Sequence, residues 1–361
     1  MTIHRNLYTE ASPFLFGNGQ ILPSATINSF IVAIRLTEAA AYESIVGTWT
    51  KVATAVAAGP PIMAYDDSLG MWIAASGTGF TPTMKTSIGG IEWTSRTITS
   101  ANFSPACAVS NDAGTFVLGG LVNGASASKI ATSTDGSTWT FRSTSTSDTK
   151  DVTALAWDSA NALFVAAIST GGLETSPTGV TWTARSVPGG LAAEQWTSAA
   201  HNGLLVGSGS LTIVSGFNSA NYMTAPDSAT WTARTFPASD TYSVVYVTGI
   251  SLWFAIGKTH AYKSADGIAW TTITIPTGMV AGSVGIRAMA FGDLLVCAYT
   301  LSGSEPTISI SRDSGTTWKK VLTLPSYDPT AAPSAAQSQT RVAYSASSGG
   351  GSMDVFFSGS F

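Results

Sequence analysis

Charged side chains are scarce in this sequence: Asp, Glu, Lys and Arg make up only 11% of its 361 residues. That is roughly half the usual share of a soluble protein. The formal net charge is -4, and no long run of one charge sign occurs. The chain therefore lacks a basic field that would attract phosphate groups, which argues against nucleic acid as a partner. Its polar surface must consist mainly of Ser, Thr, Asn and Gly.

Cysteine, histidine and long apolar runs are also rare. The two cysteines, Cys107 and Cys297, lie in separate apolar segments, which predicts buried free thiols and no disulfide framework. The three histidines, His4, His201 and His260, lack the spacing of metal ligands, so we expect neither a metal nor a cofactor. His201 falls in a predicted hairpin turn, where we expect it to be solvated. No apolar segment is long enough to span a membrane, and the N-terminal residues lack the pattern of a secretion signal.

What the sequence does contain is a repeat. Seven tryptophans, spaced 39 to 49 residues apart, each follow a short Ser/Gly/Asp turn and begin a Thr-rich segment: Trp49, Trp93, Trp139, Trp182, Trp231, Trp270 and Trp318. A constant period of this size is typical of repeat architectures. The unit at 151–186 indicates four short strands joined by three turns, and its first two strands form an apolar hairpin.

The apolar hairpin recurs once for each tryptophan. It is found at 61–76, 106–120, 151–168, 197–209, 243–257, 287–299 and 341–359. Helical periodicity is nowhere sustained. Seven four-stranded antiparallel units predict an all-β fold, a seven-bladed β-propeller, in which the blades stand radially around a channel.

The order of hairpins and tryptophans predicts how the ring closes. The first tryptophan unit, at 41–52, precedes every hairpin, whereas no tryptophan unit follows the last hairpin. We therefore expect one blade to take its outer strands from residues 40–54 and its inner strands from the C-terminus. The propeller domain is then 39–361. Residues 1–38 lie outside the pattern and are interpreted as an N-terminal arm that docks elsewhere; the alternative is that the SFIVAIRL run adds a strand to the split blade.

The turn before Trp318 carries a recognisable motif. Residues 311–318 read SRDSGTTW, which matches the Asp-box pattern S-x-D-x-G-x-T-W. Shortened versions precede other tryptophans, and the aspartates of the four best versions are Asp135, Asp227, Asp266 and Asp313. The chain resembles Asp-box (BNR, sialidase-type) propellers over about residues 40–361, including those of bacteriophage structural proteins. The motif suits a structural role, since the Asp can accept hydrogen bonds from the turn, the Gly allows positive φ, and the Trp covers the blade core.

The resemblance suggests sialidase activity as a hypothesis, and the sequence argues against that hypothesis. Sialidases are understood to gather an arginine triad, a Tyr nucleophile with a Glu partner and an Asp acid/base around a six-bladed channel. This chain lacks their early Arg-Ile-Pro type motif. Four of its arginines instead recur three residues after a tryptophan, where they protect outer strand edges, or alternatively form a phosphate-binding stripe: Arg96, Arg142, Arg185 and Arg234. No pair of carboxyl groups suited to glycoside hydrolysis is evident. We therefore predict no enzyme, no catalytic residue and no metal ligand.

Binding is expected on the face opposite the Asp-box turns. The loops predicted there carry aromatic residues, which suit sugar or protein contacts. Two arginines precede inner strands and are expected near the channel mouth. The candidate ligand-binding residues are Phe80, Phe103, Trp196, Phe217, Tyr222, Tyr299, Tyr327, Arg287 and Arg341.

These features favour a non-enzymatic bacteriophage virion protein, a tail, fibre or capsid-decorating propeller. The hypothesis predicts contacts with other virion proteins through the N-terminal arm and with a host surface glycan or protein, within a larger assembly. Two alternatives remain open. One is a carbohydrate-binding or glycan-active propeller acting outside a virion, secreted or periplasmic. The other is an assembly-factor scaffold.

Overall fold

The computed structural model describes the greater part of the chain. The described residues are 30–37, 50–52, 62–78, 81–88, 92–98, 103–122, 130–145, 150–169, 171–276, 279, 284–291, 294–300, 306–323, 341–346 and 352–359. Within these ranges the regular structure is β-strand, apart from one 3-10 turn at Thr248–Ile250. The strands at both chain ends are described by their backbone pairing.

Six blades are each formed by four consecutive antiparallel strands. Blade 1 comprises β3 (Ile62–Asp66), β4 (Met71–Thr78), β5 (Thr81–Ile88) and β6 (Thr94–Arg96). Blade 2 comprises β7 (Phe103–Ser110), β8 (Phe116–Val122), β9 (Ile130–Ser133) and β10 (Thr140–Arg142). Blade 3 comprises β11 (Val152–Asp158), β12 (Leu163–Ile168), β13 (Gly172–Ser176) and β14 (Thr183–Ala184).

The next three blades repeat this order. Blade 4 comprises β15 (Trp196–His201), β16 (Thr212–Gly216), β17 (Ser219–Ala225) and β18 (Thr232–Asp240). Blade 5 comprises β19 (Ser243–Val247), β20 (Leu252–Ile256), β21 (Ala261–Ser264) and β22 (Thr271–Thr272). Blade 6 comprises β23 (Val284–Phe291), β24 (Leu294–Thr300), β25 (Pro306–Ser311) and β26 (Lys319–Thr323).

The burial pattern explains the composition of the strands. The second strand of blade 3, LFVAAI, is buried at every position after its first residue, because a neighbouring blade packs on each of its faces. Such a strand is apolar throughout and does not alternate. The fourth strand of blade 3 is two exposed residues, Thr183 and Ala184. A short polar edge offers little for another sheet to pair with.

The repeated tryptophans pack in the seams between blades. Trp182 of blade 3 lies in a core cluster with Val117 and Ile130 of blade 2. Trp231 of blade 4 packs in the same way with Val165 of blade 3, and Trp318 of blade 6 packs with Phe254 of blade 5. Each of these tryptophans thus attaches its blade to the preceding one. This refines the expectation that the tryptophan covers the core of its own blade.

Both chain ends contribute to one further sheet, here called the closing sheet. Its strand order is β2 (Thr50–Val52), β1 (Phe30–Thr37), β28 (Ser352–Gly359) and β27 (Arg341–Ala346). The inner strands come from the C-terminus, as predicted. The third strand from the channel is β1, which pairs with β28 along its whole length. The SFIVAIRL run is therefore part of a sheet, as the alternative interpretation predicted, and does not belong to an N-terminal arm. Residues 1–29 lie outside the described residues. The sequence predicted seven blades where the structure shows six, and the seventh predicted unit corresponds to the closing sheet.

Blade 4 departs from its predicted hairpin. The sequence placed the second strand within 197–209, but that strand is β16, and residues 202–211 form a long turn. Gly203, Gly207 and Gly209 all have positive φ there, which extended backbone cannot accommodate. As a result, Leu205 and Val206 are 72% and 64% exposed. The second strand predicted within 197–209 is therefore wrong, because the apolar pair Leu205 and Val206 lies in this turn.

Candidate binding face and central channel

The two ends of the blades differ in what they carry. The end formed by first-to-second and third-to-fourth strand turns is called the turn face, and in blade 4 it comprises 202–211 and 226–231. The opposite end is called the loop face. In blade 4 it comprises the β16–β17 turn at 217–218 and the connection to blade 5 at 241–242.

On the turn face the Asp-box aspartates hold their own turns together. Asp135 Oδ1 accepts hydrogen bonds from the backbone N–H groups of Ser137 at 2.7 Å and Thr138 at 2.6 Å. The bond from Thr138 is the main reason that the pKa of Asp135 falls to about 2. Burial raises the pKa of Asp313, but hydrogen bonds led by the Thr317 hydroxyl outweigh burial and bring it to about 2. These carboxylates are charged acceptors within separate turns and do not form pairs.

One turn lacks the glycine of the motif. Ser228 occupies that position with φ 52°, and its buried hydroxyl donates to Asp158 of blade 3 at 2.7 Å. The serine thus replaces glycine where its hydroxyl can link two blades. Trp182 Nε1 donates to Gly179 O at 2.9 Å in the turn of blade 3, whereas Trp231 Nε1 is buried and has no acceptor among the described residues.

His201 belongs to the same link between blades 3 and 4. Its side chain is 2% exposed, and its Nε2 lies 3.1 Å from Asp158 Oδ1. His201 Nδ1 accepts from Gly203 N–H at 3.0 Å, so Nε2 carries the proton of the neutral ring. Burial lowers the pKa of His201, and Asp158 opposes that shift. The expectation that His201 is a solvated turn residue is therefore wrong, because the neighbouring blade covers it.

Four of the aromatic residues predicted to lie on loops are buried strand residues instead. Phe103, Trp196, Tyr222 and Tyr299 all have 0% exposure. Tyr222 shows the reason: its ring stacks on Phe236, and its hydroxyl accepts from Trp270 Nε1 at 2.8 Å. These residues pack in seams between blades, so they cannot contact a ligand on the loop face.

The other predicted residues have different positions. Phe217 is 49% exposed in the β16–β17 turn of the loop face. Arg287 is partly exposed on the inner strand β23, and Arg341 is the first residue of β27. Phe80 and Tyr327 lie outside the described residues.

The residue after Phe217 makes polar contacts with blade 5 and with the connection that leads to it. The Asn218 N–H donates to Thr241 Oγ1 at 2.9 Å, and Asn218 Oδ1 accepts from that hydroxyl at 3.1 Å. Lys258 Nζ reaches the same Oδ1 at 3.5 Å. Asn218 has φ 48°, a conformation that Asn tolerates better than most residues. These four residues, Phe217, Asn218, Thr241 and Lys258, are called the seam cluster because they join blades 4 and 5.

Asp240 fixes the blade 5 side of the cluster. Its Oδ2 accepts from Thr259 N at 2.8 Å and from His260 N at 3.2 Å, while Oδ1 accepts from Thr241 N at 2.8 Å. The His260 side chain is 41% exposed, and its ring is parallel to Tyr262 at 6.3 Å. A buried carboxylate thus holds an exposed imidazole beside Lys258.

A second carboxylate supports the blade 4 side. Glu194 accepts from Ser219 Oγ at 3.1 Å and also from Asn221 Nδ2. The Phe217 N–H donates to Gln195 O at 2.7 Å. The turn that carries Phe217 is therefore braced from the segment before β15 and is held in place before any ligand arrives.

Phe217 is among the candidate residues predicted from the sequence, whereas Asn218, Thr241 and Lys258 are not. The available signal was the pair of turns at 216–219 (GFNS) and 257–260 (GKTH), which occupy equivalent positions in successive repeats. Both begin with glycine after an apolar strand. Aligning the repeats at these turns would have brought Asn218 and Lys258 together.

The four arginines after the tryptophans have one shared contact. Each donates from Nε to the hydroxyl of a threonine ten residues earlier on the third strand, at 2.8, 3.2, 2.7 and 3.4 Å for Arg96, Arg142, Arg185 and Arg234. These arginines tie the outermost strand to its neighbour. The arrangement agrees with protection of the blade edge.

The inner strands surround the channel and contact one another in chain order from β3 through β7, β11, β15, β19 and β23 to β27, which contacts β3. Arg287 follows a β-bulge between Val284 and Arg287 in β23. Its guanidinium donates through Nη1 to Ile286 O at 2.8 Å. Burial lowers its pKa, and the Cys107 thiol of β7 is close enough to interact with it electrostatically.

Among the described residues no group of three His, Cys, Asp or Glu side chains is arranged to hold a metal. None of the helices described is long and apolar enough to cross a membrane.

Comparison with solved structures identifies the architecture. A streptogramin B lyase superposes with a TM-score of 0.61 at 8% identity, over 92% of this chain and 98% of the lyase. The fold is a β-propeller. YCF48 from Cyanidioschyzon merolae matches with a TM-score of 0.55 at 15% identity, over 86% of this chain and 97% of that one. A putative 6-phosphogluconolactonase from Bacteroides uniformis matches with a TM-score of 0.58 at 10% identity, over 83% and 98%.

No protein-family profile matches the sequence, and no curated protein sequence matches it either. The structural neighbours have different activities at low identity, so this β-propeller shares a fold with them and the fold alone does not assign a function.

Proposed function

We propose that this propeller is a non-enzymatic binding protein that contacts its partner through the seam cluster. The observation that carries the proposal is the combination of an exposed aromatic ring, Phe217, with fixed amide, hydroxyl and ammonium groups beside it. An aromatic ring among a few oriented polar groups suits a protein loop or a sugar. Because its turns are already braced, the cluster loses little conformational freedom on binding.

The carboxylates support a binding role over hydrolysis. Each Asp-box aspartate is used by the turn of its own blade, as with Asp135 and Asp313. Asp158 and Asp240 are buried acceptors of several donors. Hydrolysis of a glycoside needs two carboxyl groups facing one bond, and these groups are committed elsewhere.

Further parts of the proposal concern the setting of the protein. The closing sheet acts as a seventh blade, and the whole belongs to the Asp-box propellers that it resembles in sequence. The protein is a component of a bacteriophage particle, where residues 1–29 contact a neighbouring virion protein and the seam cluster contacts a host surface protein or glycan. The low charge and the Ser- and Thr-rich repeats support this setting.

The seam cluster is tested by substitution at equal exposure on opposite faces. Phe217 is 49% exposed on the loop face and Ile268 is 43% exposed on the turn face. We expect Phe217→Ala combined with Lys258→Ala to weaken binding to host cells or to arrayed glycans by at least roughly tenfold, since interface aromatics often contribute about 2 kcal/mol. Ile268→Ala should leave binding unchanged. If both variants bind equally well, the proposal that the loop face contacts the partner is wrong.

The virion assignment needs a separate experiment. Antibody labelling of purified particles should detect the chain, and a variant lacking residues 1–29 should keep every described strand yet fail to join the particle. If the chain is absent from particles, the virion assignment is wrong even when the seam cluster binds a ligand.

A separate experiment tests the alternative that the protein acts on glycans. Phe217 beside amide and hydroxyl groups would also suit a sugar ring. Turnover of any member of a fluorogenic glycoside panel, lost in a seam-cluster variant, would replace the non-enzymatic proposal. An assembly-factor role would instead appear as capture of a protein partner in the absence of particles.

A further inference from the structure

We infer that the central channel holds a second site, which takes the oxyanion group of a small ligand at Arg287. The site is separate from the seam cluster, because Arg287 lies on the inner strand β23 of blade 6. Four observations carry the inference: the backbone that directs this arginine, its burial, its hydrogen bonds and the groups across the channel.

The backbone of β23 is distorted where Arg287 begins. The pairing with β24 jumps from Val284 to Arg287, which leaves two residues of β23 without regular partners. Bulges of this kind redirect a side chain, and they are common beside binding sites. The inner strands β7, β11 and β15 also have bulges near their starts, and each of the four bulges inserts one extra residue. The bulge in β23 differs because a cation follows it.

The hydrogen-bonding capacity of Arg287 exceeds its use. A guanidinium has five N–H donors, and the structure gives one donation, from Nη1 to the carbonyl of Ile286. Within the described part of the chain no carboxylate lies at ion-pair distance from Arg287. A partly buried cation without a carboxylate partner is costly, and an oxyanion is the ligand that a planar guanidinium binds best.

Small residues occupy the inner strand on the other side of the ring from Arg287. Three inner strands, β11, β15 and β19, separate β7 from β23 along one side of the ring. The Cys107 thiol of β7 lies at the seam between blades 2 and 3, where Sγ donates to Val152 O at 3.5 Å, and it is within electrostatic range of Arg287. The residues beside that thiol are small, Ala106 and Ala108, and both are partly exposed. Among the described residues, these inner strands thus combine the Arg287 cation, a thiol and short side chains.

The thiol provides a built-in reporter of this site. Cys107 is partly exposed, whereas Cys297 is buried. Thiol reagents should therefore modify only Cys107 in the folded protein, and Cys107→Ser should abolish the reaction. A dianionic disulfide, 5,5′-dithiobis(2-nitrobenzoate), and a neutral one, 4,4′-dithiodipyridine, then probe the charge of the channel.

For each protein, we compare the rate at which the anionic reagent modifies Cys107 with the rate for the neutral reagent. We expect this ratio to be lower by about tenfold or more in Arg287→Gln than in the wild type. The reason is that a local charge in a low-dielectric channel raises the encounter rate of an anion by at least about that factor. Inorganic phosphate should slow the reaction of the wild-type protein, and an equal ionic strength of potassium chloride should not. Phosphate should also raise the Tm of the wild-type protein and leave that of Arg287→Gln unchanged.

An unchanged rate ratio in Arg287→Gln, or phosphate protection no greater than that of chloride, would overturn the inference. If Arg287→Gln does not fold, Arg287→Lys serves in its place. It keeps the charge and loses the paired donors, so phosphate protection should weaken severalfold while the rate ratio stays near that of the wild type. Wild-type phosphate affinity in Arg287→Lys would equally overturn the paired-donor site. Loss of seam-cluster binding has no bearing on any of these outcomes.

Discussion

Single residues in the seams between blades determine much of how neighbouring blades contact one another. Trp182 and Trp231 occupy equivalent positions and are 4% and 7% exposed, but only Trp182 has an acceptor for its ring N–H. The equivalent turn residues are Gly179, whose carbonyl accepts from Trp182, and Ser228. Ser228 uses its hydroxyl to hold Asp158.

The two tryptophans offer a matched test. We expect Trp182→Phe to destabilise the protein by about 1 kcal/mol more than Trp231→Phe, since only the first change removes a hydrogen bond. Both changes remove similar apolar area. Urea unfolding of the two variants measures the difference, and equal losses would mean that Trp231 has an acceptor after all.

His201 should make stability depend on pH near neutrality. Its folded pKa lies below the ordinary value of 6.5 because of burial, with Asp158 opposing. The unfolded chain therefore binds a proton first as pH falls, and the stability that the neutral ring contributes is present above pH 6.5 and is lost progressively below it. We expect the free energy of unfolding to fall between pH 7.5 and 5.0 in the wild type.

The variant His201→Gln should show a smaller fall over the same interval. An identical pH profile for the wild type and His201→Gln would show that His201 titrates alike in the folded and unfolded chains.

At the scale of elements, the third-to-fourth strand turn is the most regular device of the repeat. The serine that begins the turn accepts from the glycine N–H at 2.8, 2.9 and 2.9 Å in blades 3, 5 and 6. The glycine has positive φ, and a side chain there would strike the preceding blade: at Gly267 an added Cβ would lie 2.6 Å from Leu211 Cδ2. The turn is thus both a local structure and a contact between blades.

Two glycines separate these contributions. Gly267 and Gly203 have φ of +71° and +70°, but a Cβ at Gly203 would have nothing within 4 Å. We expect Gly203→Ala to cost about 1 kcal/mol for backbone strain alone. Gly267→Ala should cost about 2–4 kcal/mol, because overpacking is added to the strain. Thermal unfolding measures the loss of stability in each variant. Equal losses of stability would show that the Leu211 side chain moves aside at no energetic cost.

Inner strands are joined by a different device. The Ser198 hydroxyl of blade 4 accepts from the Val244 N–H of blade 5 at 3.1 Å, and Ser243 accepts from Ala288 N–H of blade 6 at 2.9 Å. These bonds use main-chain donors at the edges that face the channel. A buried edge donor needs such a partner, and serines supply it where no strand can pair.

At the scale of the whole molecule, the closing sheet joins the two chain ends. Strand β28 pairs with β27 on one side and β1 on the other, and β27 contacts both β3 and β23. Strands from opposite ends of the chain thus complete one sheet. Among the described strands, β28 links the N-terminal and C-terminal parts of the sheet.

Truncation tests this dependence. Removal of residues 351–361 deletes β28 and leaves β1 and β27 without their shared partner, so we expect loss of cooperative unfolding or a large fall in Tm. Removal of residues 360 and 361 alone leaves all four strands intact and should change Tm little. Calorimetry compares the two truncations, and similar thermograms would show that the six blades are stable without the closing sheet.

The sequence by itself determined the repeat period, the four-stranded unit and the glycine and aspartate of the turns. These follow from hydrogen bonds and φ preferences within a few residues, as at Asp135 and Gly136. It also identified the C-terminal inner strands of the closing sheet, because the order of hairpins and tryptophans is a property of the chain alone.

Only the tertiary structure decided which side chains are accessible. Tyr222 is buried by residues about 45 positions away, and His201 is covered by the blade before it. Arg287 lies within electrostatic range of a thiol in a distant repeat. Phe217 stays 49% exposed in its turn. Burial depends on which blades come to lie side by side. The local residue pattern that determines a strand or a turn does not determine how the blades pack.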